Sequence, residues 1–141
     1  MKYKVIICLL LAIVFSACKK SNDAVPSSAS IVGSWKLAES YNITIAGTQK
    51  TEADIAKPIL LNFNTSLYSE ATSGTVTRSG TYLLLDKYQY YPGYYASHVL
   101  KTDTVIRGTY AIHVGKPDTL LINSINQGPD NGSGSVYLRV K

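Results

Sequence analysis

The chain has 141 residues, enough for one domain and a tether, and 45% of them are hydrophobic, which suffices to bury a core. The formal charge of +5 is modest, and no Lys/Arg cluster lies inside the predicted domain. A nucleic-acid partner is therefore excluded from the expected functions.

The N-terminal segment, residues 1–17, is predicted to be an export signal. Lys2 and Lys4 supply its basic start, and residues 5–15 form an uncharged apolar run. A membrane-spanning helix needs roughly 20 apolar residues, so this run is too short to span a membrane. We expect the segment to be absent from the mature protein.

Cys18 is the expected lipid-attachment site. It follows Ser16 and Ala17, an order that resembles the bacterial lipobox, with Phe15 in the place where Leu is usual. The resemblance implies that diacylglycerol is attached to the Cys18 thiol and that the chain is cut before this residue. An ordinary signal peptide with a chance cysteine is the alternative. Because Cys8 leaves with the signal and the Cys18 thiol carries the lipid, no thiol remains for a disulfide.

Residues 18–30 are predicted to be a lipidated, flexible tether, because they are Ser-rich and carry few apolar side chains. Diacyl and N-acyl chains, of the palmitate type, exceed the single-chain threshold for reversible membrane binding, so attachment should be permanent. The sequence Cys-Lys-Lys-Ser-Asn-Asp resembles the start of Bacteroidetes surface lipoproteins. Lys19 directly after the cysteine favours the outer membrane, by analogy with enteric bacteria. We therefore expect a lipid-anchored protein of the bacterial cell envelope.

Residues 31–141 are predicted to form an all-β domain. Runs rich in Val, Ile, Thr and Tyr alternate with period two between clusters of Gly, Pro, Asn and Asp. The predicted inward face of the first run comprises Trp35, Leu37, Tyr41 and Ile43, and Glu39 is the one acid in this phase. Later candidate strands cover residues 59–64, 67–71, 75–78, 80–86, 94–101, 104–114, 119–125 and 135–141. About eight short strands indicate an antiparallel barrel or a sandwich.

Residues 51–58 have two interpretations. Thr51 is a candidate helix N-cap with Asp54 three residues later, and Pro58 limits any helix to about one or two turns. Such a helix could lie across one end of a barrel. The alternative is an ordinary loop with one helical turn.

The entry to the domain resembles a known superfamily. Residues 31–37, Ile-Val-Gly-Ser-Trp-Lys-Leu, resemble the Gly-x-Trp first strand of the lipocalins and fatty-acid-binding proteins. With the lipobox and the tether, they are most similar to the lipocalin-like domains of Bacteroidetes lipoproteins. The resemblance implies an up-and-down antiparallel β-barrel of about eight strands, closed at one end by Gly33, Trp35 and an arginine of the last strand. Arg139 is the matching arginine, and an arginine over an indole contributes about 0.5–2 kcal/mol.

The last strand leaves two alternatives open. Arg139 shares a strand face with Tyr137, opposite to Val136, Leu138 and Val140. Either this strand turns its polar face inward, or Arg139 lies outside the barrel. In fatty-acid-binding proteins an Arg-x-Tyr on the last strand holds the ligand carboxylate, but here the order of the two residues is reversed. That role is therefore not carried over to this chain.

The sequence contains no catalytic constellation, so we expect neither an enzyme nor a metal or cofactor. His98 and His113 are the only histidines, and they lack the Cys or carboxylate spacing of a zinc site. Acid–base catalysis needs two titratable groups in one pocket, and Glu39 is the only acid with an inward phase. Glu39 is either a polar contact for a ligand inside the barrel or a residue at its wet mouth.

Five tyrosines surround a Pro-Gly turn in residues 88–95. Tyrosine offers a flat apolar face with a polar tip, which suits recognition of lipids, sugars or proteins. Cross-strand packing in a twisted hairpin is the alternative. The candidate ligand contacts are Glu39, Tyr90, Tyr91, Tyr94, Tyr95 and Tyr137.

The sequence thus predicts a non-enzymatic binding protein that holds a small apolar or amphipathic ligand in a barrel. The alternative is a protein-interaction or inhibitor module with a packed barrel, which binds an envelope protein through the tyrosine-rich loop. A carbohydrate contact surface built from the same tyrosines is a third hypothesis. An internal cavity would favour the first, and a packed interior with an exposed aromatic patch the second.

The lipid anchor is testable by a single substitution. Cys18→Ser removes the thiol that carries the diacyl group, so the protein should leave the detergent phase in partitioning experiments. Globomycin, which blocks lipoprotein signal cleavage, should make the wild-type precursor accumulate. Cys8→Ser is the matched control and should change neither result. Unchanged partitioning of the Cys18 variant together with an unchanged precursor size would contradict lipidation.

Overall fold

A computed structural model describes residues 30–125 and 131–140 of the chain. The described part consists of strands and the turns that join them. The predicted signal peptide 1–17, Cys18 and nearly all of the tether 18–30 lie outside it. No helix long and apolar enough to cross a membrane occurs in these two ranges. The strands are β1 (Gly33–Thr44), β2 (Gly47–Glu52), β3 (Ile59–Phe63), β4 (Leu67–Thr72), β5 (Thr75–Leu85), β6 (Tyr88–Tyr91), β7 (Tyr94–Ala96), β8 (Val99–Thr102), β9 (Val105–His113), β10 (Thr119–Asn123) and β11 (Gly132–Val140).

Nine of these strands form one antiparallel sheet in the order β11-β10-β9-β8-β5-β4-β3-β1-β2, and β11 also pairs with β1. The last pairing closes the sheet into a barrel. β2 and β3 occupy successive parts of the same edge of β1, because Glu39 to Thr44 pair with β2 and Gly33 to Lys36 pair with β3. The closed barrel is therefore eight strands around. This confirms the expected all-β antiparallel barrel.

The connections alternate between the two ends of the barrel, since each strand runs antiparallel to its neighbour. β1 begins at the end that holds Trp35, here called the Trp35 end. The β3–β4, β5–β8 and β9–β10 connections lie at this end. The β1–β2, β4–β5 and β8–β9 connections lie at the opposite end, where β10 also ends and β11 begins. The two-stranded β6–β7 hairpin is part of the β5–β8 connection and therefore belongs to the Trp35 end.

Trp35 is the largest fully buried side chain of the described residues. Its side chain is 0% exposed, and its indole Nε1 donates a hydrogen bond of 2.7 Å to the carbonyl of Ile31. The indole polar group is thus satisfied inside an apolar cluster. Phe63 and Tyr82 pack edge to face within this cluster, with ring centroids 5.0 Å apart. The other buried members are Ile31, Leu61, Tyr68, Leu100 and Leu120.

A β-bulge in β1 changes which residues face inward. Leu37 pairs with Tyr137, but Glu39 pairs with Val136, so the register of β1 against β11 shifts by one residue between them. A bulge places two residues of one strand opposite one residue of the other and reverses the alternation beyond it. The prediction that Glu39 continues the inward phase of Trp35 is therefore wrong.

The segment between the first two runs also differs from one expectation. Residues 47–52 form strand β2, and residues 53–58 form a turn in which the Lys57 amide donates to the Asp54 carbonyl at 3.2 Å. The short helix over 51–58 is not formed. The alternative, a loop with one helical turn, is correct for the loop at residues 53–58, but its turn is not helical and residues 51–52 belong to β2. All six residues of β2 are exposed, and the strand is held by its pairing with β1.

Trp35→Ala should lower the free energy of unfolding by about 3–5 kcal/mol, because it removes a fully buried large aromatic side chain. Chemical denaturation of the two proteins measures this difference. Ile45→Ala is the matched control: Ile45 is 91% exposed, so its loss should change stability by less than about 0.5 kcal/mol. A Trp35 effect as small as that of the control would show that the core does not depend on this residue.

Candidate functional site

Arg139 covers the Trp35 end. It lies directly across from Trp35 in the β1–β11 pairing, with its guanidinium carbon 4.1 Å from the indole centroid. Its Nε binds Asp118 Oδ2 at 3.0 Å, Nη1 donates to the Val32 carbonyl at 2.9 Å, and Nη2 donates to the Ser30 carbonyl at 2.6 Å. Every guanidinium nitrogen therefore has a protein partner, and the group is fixed over the indole.

Gly33 is required beside this arginine. A Cβ on Gly33 would lie 2.6 Å from Arg139 Nη1, and its φ of +136° disfavours other residues. Between the two alternatives for the last strand, the structure shows the first one: β11 turns its polar face inward. Tyr137 lines the interior and Arg139 covers Trp35, whereas Leu138 and Val140 are exposed.

A cavity of about 320 Å³ lies inside the barrel, next to the core cluster. Its apolar wall is formed by Leu61, Phe63, Leu100 and Ile122. Four serines contribute hydroxyl groups to the wall farther from Trp35: Ser40, Ser124, Ser133 and Ser135. The interior thus changes from apolar to polar along the barrel.

Between these two regions lies an ion pair that sequence reasoning missed. Arg107 Nη2 is 3.2 Å from Glu70 Oε2, and Arg107 Nε donates to Thr102 Oγ1 at 2.9 Å. The guanidinium carbon is also 5.8 Å from the centroid of the Tyr68 ring. The side chains of Arg107 and Glu70 are 25% and 21% exposed, so both charges are partly removed from water and pair within the cavity wall.

Tyr137 faces the same pair. Burial raises the pKa of its phenol; a hydrogen bond with Ser135 lowers that pKa, Glu70 raises it and Arg107 lowers it. Because the pKa is on balance raised from its ordinary value near 10, the hydroxyl keeps its proton at neutral pH. Tyr137 therefore presents a hydrogen-bond donor to the cavity.

A bulge also explains why Arg107 reaches the interior. Leu100 pairs with Gly108 and Lys101 pairs with Ile106, so Arg107 is the residue without a partner in the β8–β9 ladder. Bulges commonly redirect a side chain next to a binding site. Glu70 lies on the inward face of β4, across from Leu61. The alternation of Tyr68 and Glu70 in the predicted strand 67–71 was the available signal for Glu70.

Glu39 does not line the cavity, which corrects its predicted role as an interior ligand contact. Its carboxylate binds Lys50 Nζ at 3.0 Å. It borders an outer groove of about 570 Å³ together with Val136 and Leu138. The bulge after Leu37 causes this outward placement.

The tyrosine hairpin lies apart from the cavity. Tyr91, Tyr94 and Tyr95 are 63%, 65% and 51% exposed, respectively. Tyr90 packs against Tyr91 and Tyr94, each at 6.3 Å between ring centroids, and Lys87 Nζ is 4.1 Å from the Tyr95 centroid. The hairpin is thus both internally packed and exposed. Of the predicted ligand contacts, Tyr137 alone lines the cavity of the described barrel.

No cluster of three or more His, Cys, Asp or Glu side chains that could hold a metal ion occurs within residues 30–125 and 131–140. Comparisons with protein-family models, with curated proteins and with solved structures find no match for this chain.

Proposed function

We propose that this chain is a lipid-anchored binding protein of the bacterial cell envelope, attached to the outer membrane, whose lipocalin-like barrel holds one small amphipathic ligand without acting as an enzyme. The observation that carries the proposal is the cavity inside the barrel, with an apolar wall and a polar cluster of Glu70, Arg107 and Tyr137.

The size of the cavity supports a small ligand. An eight-stranded barrel is just wide enough to be filled by side chains or to hold one small molecule. This interior retains about 320 Å³, at the lower end of the usual range of roughly 300–1,000 Å³ for ligand sites.

The chemistry of the wall supports an amphipathic ligand. Leu61, Phe63 and Leu100 would bury an apolar group, which is favourable in proportion to the area removed from water. Arg107 and Tyr137 offer hydrogen-bond donors at the other side of the same space. Ligand sites typically combine a largely apolar lining with a few such polar groups that fix orientation.

Filling the cavity tests this proposal. In the mature chain, residues 18–141 carrying Cys18→Ser so that no lipid competes, Ser135→Phe should weaken binding of the neutral probe N-phenyl-1-naphthylamine more than tenfold, because the ring occupies the ligand space. Fluorescence titration measures the affinity. Leu138→Phe, on the same strand but 37% exposed, is the matched control and should bind like the parent. Equal binding by the Ser135 variant would place the probe outside the barrel and contradict the proposal.

A second candidate function is recognition of an envelope protein by the tyrosine hairpin. The exposure of Tyr91, Tyr94 and Tyr95 on a hairpin outside the barrel sheet favours it, since exposed aromatic clusters tend to mark interaction sites. The hairpin belongs to the Trp35 end, from which the chain continues toward the tether, so a bound partner would lie near the membrane.

The double substitution Tyr91→Ser and Tyr94→Ser should show whether these tyrosines bind a partner or stabilise the fold. Exposed positions usually shift stability by under about 0.5 kcal/mol each, so the thermal midpoint should move by only a few degrees. Crosslinking to purified envelope proteins should weaken more than tenfold, because aromatic anchors often contribute about 2 kcal/mol or more apiece. Val76→Ser with Val105→Ser, at comparably exposed positions on the barrel, is the control. Unfolding of the tyrosine variant would instead assign these side chains to the fold.

A further inference from the structure

We infer that the polar end of the cavity ligand is uncharged and carries a hydrogen-bond acceptor beside a donor, as a carboxamide does, and that carboxylates and amines are discriminated against. The inference rests on the proposed function, because it concerns the occupant of the same cavity. It is carried by the Arg107–Glu70 pair and by the groups that surround it.

The charge of the cavity wall is already balanced. Among the described lining residues, Glu70 and Arg107 are the charged ones, and they bind each other at 3.2 Å. One further carboxylate contacts a lining residue: Asp103 Oδ2 accepts from the Tyr68 hydroxyl at 3.3 Å. Asp103 also accepts from the Thr81 amide at 2.9 Å. The wall therefore has no unpaired cation to offer an anionic ligand.

An anionic ligand would meet a competitor at the arginine. To reach the guanidinium it would share that group with Glu70, and two carboxylates at one site repel each other. Displacing Glu70 would leave that carboxylate partly buried without its partner, which is costly. An ammonium ligand that binds Glu70 comes close to Arg107, and the two positive charges repel each other.

An uncharged amide avoids both costs. The guanidinium has five N–H donors, of which Nε serves Thr102 and Nη2 serves Glu70, so Nη1 retains donor capacity. The Tyr137 hydroxyl is a second donor on the same wall. Glu70 keeps acceptor capacity, since a carboxylate has about four lone-pair sites. An amide oxygen can thus accept from Arg107 or Tyr137 while its NH₂ donates to Glu70, and the ion pair stays intact.

Three compounds of one chain length test the headgroup directly: octanamide, octanoate and octylamine. Each is titrated at neutral pH against N-phenyl-1-naphthylamine bound to the mature chain carrying Cys18→Ser. Octanamide should displace the probe with at least tenfold higher affinity than either charged compound. An affinity of octanoate equal to or higher than that of octanamide would overturn the inference while the proposed function stands. The same holds if the probe binds and none of the three compounds displaces it. Absence of probe binding would overturn the proposed function itself.

Two single variants reverse the selectivity in opposite directions. Glu70→Gln leaves Arg107 uncompensated, so octanoate should gain at least tenfold relative to octanamide. Arg107→Gln leaves Glu70 uncompensated, so octylamine should gain instead. The double variant with both substitutions is neutral again and should restore the preference for octanamide. The double variant also tests the inference if a single variant does not fold. A double variant that prefers octanoate would contradict charge balance as the cause of the headgroup selectivity.

Discussion

Closure of the sheet by β1 and β11 is the constraint on which the rest of this structure depends. β1 pairs with β11 over nearly its whole length while β3 and β2 share its other edge, so a single strand joins both sides of the barrel. With neither cysteine in the domain, no disulfide can support this closure. Trp35 and Arg139 face each other across the same pairing. The cation–π contact therefore stabilises the pairing that removes the open sheet edges.

Three bulges lie in the described barrel sheet, and two of them determine which side chains reach the cavity. They lie between β1 and β11, between β4 and β5, and between β8 and β9. On the Trp35 side of the first bulge, the inward residues are large and apolar. Beyond it, Ser40 takes the inward phase and contacts Ser135 at 3.4 Å. In the β8–β9 bulge, Arg107 leaves the ladder and reaches Glu70. Four serines line this part of the cavity, and the two bulges determine that Ser40 and Arg107 are among the lining residues.

The sequence was sufficient for the strand periodicity, the antiparallel barrel and the candidate residues of its Trp35 end, because period-two alternation and the Gly-x-Trp entry are local signals. The phase after Leu37 was not predictable, since a bulge depends on the partner strand β11. This shift in register is the reason why Glu39 was predicted on the wrong face of β1. Arg107 was missed for the same reason, because its inward direction comes from pairing with β8. Glu70 was accessible from alternation with Tyr68, but nothing local indicated a partner 37 residues away.

The two interior arginines show how one type of ion pair serves two purposes. Arg139 and Arg107 each bind one carboxylate, at 3.0 Å and 3.2 Å. Around Arg139 the two other nitrogens donate to the backbone carbonyls of Val32 and Ser30, so all three guanidinium nitrogens hold residues 30–32 and the β9–β10 connection together. Around Arg107 the further partner is the Thr102 hydroxyl, and the side chain lines the cavity. The two arginines thus differ in what their other guanidinium nitrogens face, which is backbone carbonyls around Arg139 and the cavity around Arg107.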